Sequence, residues 1–186
     1  MTKIVLIIAA HSDDEALGCS GTMAKHVAQG DKVHILFMTD GVASRIRSKN
    51  NTEERKIAAQ DAVQILGVSS FTTLNFPDNK MDSIPLLDVV KEVENKITEL
   101  QPEIIYTHHI GDLNVDHQIT HKAVITACRP QPSFYVKEIY AFEVLSSTEW
   151  STPGVETFSP NVYIDITDYI GIKKQVLEVY SEEMRQ

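Results

Sequence analysis

The chain has few cysteines, no long hydrophobic run and no basic tract, and each absence excludes a class of protein. Cys19 and Cys128 are its two cysteines, and no Cys-x-x-Cys spacing occurs, so neither a disulfide framework nor a cysteine zinc site is expected. No apolar run approaches the roughly 20 residues that a helix needs to span a membrane. A formal net charge of -9, without any Lys/Arg block, argues against a nucleic-acid-binding surface.

The composition is that of a soluble globular protein. Hydrophobic residues make up 42% and charged residues 23% of the 186 positions, and this length can bury a sizeable core. We therefore expect a single domain over residues 1–186. Residues 1–3 lead directly into an apolar run, so we expect no signal peptide and a cytoplasmic location.

Strand-like and helix-like stretches alternate along the chain. The predicted strands are 3–9, 32–39, 70–74, 103–107, 136–144 and 161–166. The predicted helices are 17–29, 53–66, 85–100, 116–128 and 169–184. This alternation is typical of right-handed βαβ units and predicts an α/β fold with a mainly parallel sheet. Ligands of such open sheets bind at the carboxyl ends of the strands, where the polar loops of this chain fall.

Residues 11–15, His-Ser-Asp-Asp-Glu, follow the first apolar run directly. Packing gains nothing from an imidazole and three carboxylates at a strand end, since such groups must be solvated, paired or bound to a metal. His11 and Asp14 are three residues apart, so both side chains can face one point. His117, after another predicted strand, could supply a third ligand. Three protein ligands and a water are the arrangement of a catalytic zinc site, with Asp13 beside it as a general base.

The second polar cluster occupies residues 107–117 and contains several alternative candidates. His108 and His109 are adjacent, so at most one of them faces the site. Asp116 is interpreted either as a helix N-cap or as a partner that orients a liganding histidine. Asp14 and Glu15 also have a simpler explanation, because acidic residues favour the first turn of a helix.

These residues resemble the motifs of the LmbE-like, or PIG-L, family of zinc-dependent N-deacetylases. Residues 11–15 are similar to the family motif His-Pro-Asp-Asp-Glu, and further similar blocks follow in the order of the family. Those blocks are 18–22, 39–45, 76–79, 107–117, 129–130 and 146–150.

The resemblance implies a Rossmann-like three-layer α/β/α sandwich. It also implies an enzyme that removes an N-acetyl group from an N-acetylglucosamine-type sugar or a related small metabolite. By motif match, His11, Asp14 and His117 would bind the metal, and Asp13 would be the general base acting on metal-activated water. Zn²⁺ is the expected metal, although histidine and aspartate also bind other divalent transition metals.

Two positions depart from the family pattern. Ser12 replaces the usual proline, which changes the rigidity of the turn more than its chemistry. Asn114 stands where many members carry a histidine that polarises the carbonyl; asparagine donates a hydrogen bond but holds no positive charge, so His109 is the alternative donor. Arg45 and Asp78, both in loops after predicted strands, are the further candidates for contacts with the sugar.

Several alternatives stay open from the sequence. A Rossmann-type nucleotide-sugar binding module is disfavoured because the first turn lacks Gly-x-Gly-x-x-Gly. A two-metal phosphohydrolase would need more carboxylate ligands, and a non-catalytic relative is disfavoured by the intact residues 11–14 and His117. Trp150, the single tryptophan, either stacks on a sugar or anchors its loop.

The expected partner is a small N-acetylated sugar. Neither nucleic acid nor a membrane span is expected, and the oligomeric state is open, a homo-oligomer included. The family segment that residues 180–186 resemble is normally followed by further sequence, so either the chain is truncated at its C-terminal end or this member is short.

Overall fold

The computed structural model describes residues 2–39, 50–152, 154 and 156–180, with the backbone alone at 50–53. Within this part of the chain, one parallel sheet is formed by β1 (Ile4–Ala9), β2 (Lys32–Thr39), β3 (Ser70–Phe76), β4 (Ile104–His108) and β5 (Glu138–Phe142). The strand order is β3-β2-β1-β4-β5, so β1 is the central strand and β3 and β5 are the edges.

Helices cover both faces of the sheet. They are α1 (Asp14–Ala28), α2 (Asn50–Leu66), α3 (Leu86–Leu100), α4 (Val115–Ala127) and α5 (Ile170–Val179). Helices α1, α2 and α5 enclose one hydrophobic core, and α3 and α4 enclose the other. The predicted three-layer α/β/α sandwich with a parallel sheet is confirmed. No helix in the described part of the chain is long and apolar enough to cross a membrane.

The sequence of β1 explains its central position. Val5 and Ile7 pack in the core under α1, whereas Leu6 and Ile8 pack in the core under α3 and α4. A parallel strand that is buried on both faces is apolar at every position rather than at every second one. The polar residues that follow such a strand therefore mark the point where the chain leaves the core.

The register of the strands brings two polar clusters together. β1 pairs with β4 so that Ile8 lies opposite Thr107. Just beyond the paired residues, the Ala10 backbone N–H donates to Nε2 of His108 at 2.8 Å. The chain segments that follow β1 and β4 are therefore neighbours at one edge of the sheet, as the sequence predicts for parallel strands.

The strand predicted over 161–166 is wrong. These residues form no strand, and Val162 and Tyr163 are 51% and 81% exposed. Ile166 packs so closely on α1 that a Cβ at Gly21 would lie 2.5 Å from its side chain. The Asp165 carbonyl accepts a hydrogen bond from Nζ of Lys25 at 2.9 Å. Ile166 therefore packs against a helix and is not part of a strand.

Candidate metal centre

Three buried side chains converge at the carboxyl edge of the sheet. Nδ1 of His11 lies 3.2 Å from Oδ2 of Asp14, which lies 3.2 Å from Nε2 of His117. The two histidine nitrogens are 3.3 Å apart. A tetrahedral centre with bonds of about 2.0–2.1 Å holds its ligand atoms about 3.3–3.4 Å apart. These three atoms therefore have the spacing of three corners of a tetrahedral metal site.

Carboxylates on the far side of each imidazole set its orientation. Nε2 of His11 lies 3.1 Å from Oδ2 of Asp116 and 3.2 Å from Oδ1 of Asp78. Nδ1 of His117 lies 3.1 Å from Oδ2 of Asp112. When a cation takes the ring nitrogen that faces Asp14, the nitrogen that faces the outer carboxylate keeps the ring proton. Such carboxylate–histidine pairs orient the histidine ligands of metal sites, and the donor set fits zinc.

The same carboxylates raise the pKa values of His11 and His117. Burial lowers the pKa of His117, but the carboxylates of Asp14 and Asp112 outweigh burial and raise that pKa to about 9. Burial also lowers the pKa of His11, and hydrogen bonds to the carboxylates around it, first among them Asp116, raise it well above the ordinary value. A cation and a proton compete for these nitrogens, so metal binding is coupled to proton release.

Asp116 ties the centre to two other parts of the fold. Its carboxylate accepts hydrogen bonds from the backbone N–H groups of Asn79 at 2.6 Å and Met81 at 3.0 Å, besides the contact with His11. The N-cap of α4 is Asn114, whose side-chain oxygen accepts from the Asp116 N–H at 2.8 Å. Of the two interpretations of Asp116, the structure therefore supports the partner of a liganding histidine.

Asp13 lies in the turn between β1 and α1, next to the candidate ligand Asp14 in the chain. Its φ of 138° is in the region that non-glycine residues rarely adopt, and such strain is concentrated at functional sites. Its backbone N–H donates to Oε2 of Glu15 at 3.0 Å, and its carboxylate lies 3.3 Å from the guanidinium of Arg55. The half-buried Asp13 carboxylate is therefore held by a cation from α2 that no motif in the sequence indicates.

Glu15 supports the turn from inside the protein. It is fully buried, and its other oxygen accepts a hydrogen bond from the Tyr180 hydroxyl at 2.8 Å. Burial raises its pKa to about 7. Glu15 therefore connects the first turn of α1 to Tyr180, the residue just after α5, by a hydrogen bond.

The structure distinguishes between the two adjacent histidines. The ring of His108 is fully buried and stacks on His117 with centroids 3.9 Å apart. Burial lowers its pKa to about 4. His109 instead contacts Phe158 edge-on at 5.3 Å and accepts from the Gly111 N–H. The sequence leaves open which of the two faces the site and offers His109 as the alternative donor. The place of His108 at the end of a buried strand was the signal that separates them.

The other residues predicted to contact the substrate differ in their burial and in their hydrogen bonds. Asp78 is buried at 2% exposure against His11. The side-chain oxygen of Asn114 caps α4, which leaves its amide nitrogen as the group that could donate to a substrate. Arg45 lies outside the described residues.

Comparisons with known proteins identify the family of the chain. The family model described as GlcNAc-PI de-N-acetylase (PIG-L) matches residues 6–128. The deacetylase YaiS of Escherichia coli, itself described as uncharacterized, is 29% identical over 95% of this chain and 89% of its own length. The 4-oxalmesaconate hydratase of Pseudomonas putida is 27% identical over 89% of this chain and 68% of its own length.

A solved structure shares the fold. The N,N'-diacetylchitobiose deacetylase of Pyrococcus horikoshii superimposes with a TM-score of 0.80, at 22% identity, over 99% of this chain and 72% of its own. The family model spans more than half of the chain and includes all three residues of the metal triangle. The chain therefore belongs to the PIG-L, or LmbE-like, family.

Proposed function

We propose that this protein is a zinc-dependent N-deacetylase that releases acetate from an N-acetylglucosamine-type sugar. The observation that carries the proposal is the triangle of His11, Asp14 and His117, whose donor atoms have tetrahedral spacing and whose imidazoles are oriented by carboxylates. Membership of a deacetylase family supports the type of reaction. The cytoplasmic location and the single domain stay predictions from the sequence.

A zinc ion held by these three residues would activate a water molecule and polarise the amide carbonyl. Asp13 would take the proton that the water loses as its oxygen attacks the carbonyl carbon. When the C–N bond breaks, the same carboxyl group would return a proton to the departing amine, so that one residue acts as base and then as acid. Arg55, 3.3 Å away, keeps the Asp13 carboxylate in one position.

The substrate contacts follow from the loops around this centre. Arg45 stays the candidate from the sequence for the sugar hydroxyls, and Asn114, with His109 as the alternative, is our candidate for the carbonyl oxygen. Asp78, predicted to contact the sugar, is buried against His11 and would orient that imidazole instead. Loss of one such oxyanion donor typically lowers the rate about 10²–10³-fold, so the contribution of each candidate donor can be measured by its own substitution. The sugar hydroxyls and the amide would then be recognised by different side chains.

Acetate release across a panel of N-acetylated sugars, with and without chelator, tests the proposal. We expect release from at least one N-acetylglucosamine derivative, loss of activity with chelator, and recovery when Zn²⁺ is added back. Asp13→Asn protein should still bind zinc and lose activity. A wild-type enzyme that keeps full activity after verified metal removal would exclude the mechanism.

Hydration of a carbon–carbon double bond is the second candidate function. The hydratase of Pseudomonas putida is a relative over most of this chain, and adding water to a double bond also calls for an activated water and a base. Unsaturated di- and tricarboxylic acids therefore belong in the same panel. Loss of their ultraviolet absorbance, without acetate release from any sugar, would favour the hydratase.

A further inference from the structure

The segment 145–150 follows β5 and reaches back to the metal centre. It belongs to a block that resembles the family, yet neither the ligands nor the proposed base explains it. Oγ of Ser147 donates to Oδ2 of Asp112 at 2.9 Å, and Oγ1 of Thr148 donates to the same oxygen at 2.7 Å. These residues are 35 and 36 positions away from Asp112 in the chain, so the contact is a product of the fold.

Asp112 is saturated with hydrogen bonds. Besides the two hydroxyls, Oδ2 faces Nδ1 of His117 at 3.1 Å, and Oδ1 accepts from the Asn114 N–H at 2.8 Å. The residue is 1% exposed, so water does not replace a missing donor easily. Each protein donor therefore contributes to fixing the plane of the carboxylate that His117 meets.

The direction of the Thr148 hydroxyl is determined by its own surroundings. Oγ1 of Thr148 accepts a hydrogen bond from the Val144 N–H at 2.8 Å, so its own proton points away, toward Asp112. The Val144 carbonyl in turn accepts from the N–H groups of Ser146, Ser147 and Thr148 at 2.9–3.1 Å, which closes a tight turn. Thr148 is thus a preorganised donor rather than a surface hydroxyl that happens to lie nearby.

We propose that Ser147 and Thr148 are positioning residues that fix Asp112, and through it hold Nε2 of His117 toward the metal position. They touch neither His11 nor Asp14. Thr148 acts on His117 through the Asp112 carboxylate alone, whereas Oγ of Ser147 also lies 3.4 Å from Nδ1 of His117. The inference rests on the proposed metal site and not on the identity of the substrate. Partners of this kind typically change metal affinity or activity about 10–100-fold when they are lost.

The zinc dissociation constant of the metal-free protein, measured by competition with a chromophoric chelator, tests the proposal. We expect Thr148→Val to weaken zinc binding about 10–100-fold and Ser147→Ala to weaken it less. Thr148→Ser keeps the hydroxyl and should restore wild-type affinity. Thr98→Val is the matched control, since that hydroxyl donates to a backbone carbonyl on the exposed face of α3. It should leave the dissociation constant unchanged.

Each outcome decides the proposal. Wild-type zinc affinity in folded Thr148→Val protein would overturn it, and so would an equal loss in Thr148→Ser, which would assign the effect to the methyl group. Thr148→Val also removes the acceptor of the Val144 N–H, so this variant could fail to fold, which circular dichroism would show. In that case Ser147→Ala decides. Unchanged zinc affinity in Ser147→Ala overturns the proposal, and weaker zinc binding supports it. The zinc measurement stays decisive even if wild-type protein releases no acetate. Wild-type protein that binds no zinc would refute both proposals.

Discussion

Replacing Asp116 by asparagine separates its role in the fold from its role at the metal centre. The carboxylate has no exposed surface, and it receives two backbone N–H groups and the imidazole of His11. Asparagine keeps the shape but has a single acceptor oxygen. If that oxygen occupies the Oδ2 position, it keeps the bonds to Asn79 and His11, and the amide nitrogen then faces the Met81 N–H.

At least one buried N–H group is therefore left without an acceptor. An unsatisfied buried donor costs about 1–3 kcal/mol of the free energy of unfolding. For a protein of this size, that loss lowers the melting temperature by roughly 2–12 °C. In the opposite orientation of the amide two bonds are lost, so this range is the smaller of the two expected effects. Zinc affinity should also fall about 10–100-fold, because Nε2 of His11 loses one of its two charged partners and keeps only Asp78.

Urea unfolding of the metal-free protein measures the first effect, and zinc competition measures the second. Asp88→Asn is the matched control, since this side chain is 57% exposed in the first turn of α3 and surface substitutions typically change stability by less than about 0.5 kcal/mol. If Asp116→Asn and its control have the same unfolding free energy, the buried carboxylate does not stabilise the loop after β3. Unchanged zinc affinity would refute its action on His11.

Three further predictions follow from individual side chains. His11→Ala should lose both bound metal and activity. Asp13→Ala should keep the metal, measured by elemental analysis, and its rate should fall about 10²–10⁴-fold. Metal retention in both variants would exclude His11 as a ligand. Burial raises the pKa of the Cys128 thiol to about 12 and that of Cys19 further, so neither should react with a disulfide reagent at pH 8 until urea unfolds the protein; rapid labelling of folded protein would contradict their burial. Trp150, the only tryptophan, is 62% exposed, so a bound sugar that stacks on it should shift its fluorescence, and no shift at saturating substrate would leave it as a loop anchor.

The secondary structure followed from local patterns in most places. The strand predicted at 32–39 has the observed bounds, and the other main elements differ by a few residues at their ends. Apolar periodicity predicts these elements because it records which side of each one is buried. The error at 161–166 has the same origin, since alternation records a buried face without recording whether a strand or a helix covers it.

The position of a strand end decides which residue enters the site. β4 continues through His108, so its side chain is turned into the protein against His117, and His109 is turned toward Phe158. Successive side chains of a strand point to opposite faces, so an uncertainty of one residue reverses this choice. The resemblance to the family covers both histidines and does not indicate which of them faces the site.

The sequence by itself determined the parallel α/β architecture and the local part of the candidate metal centre. His11 and Asp14 are three residues apart at the start of a helix, and that spacing alone lets both face one point. The tertiary structure decided which carboxylates orient the histidines. Asp116 is held by the loop after β3, and Asp112 by Ser147 and Thr148 after β5. Hydrogen bonds are directional and short, so these partners become defined only when the sheet brings distant loops to one edge.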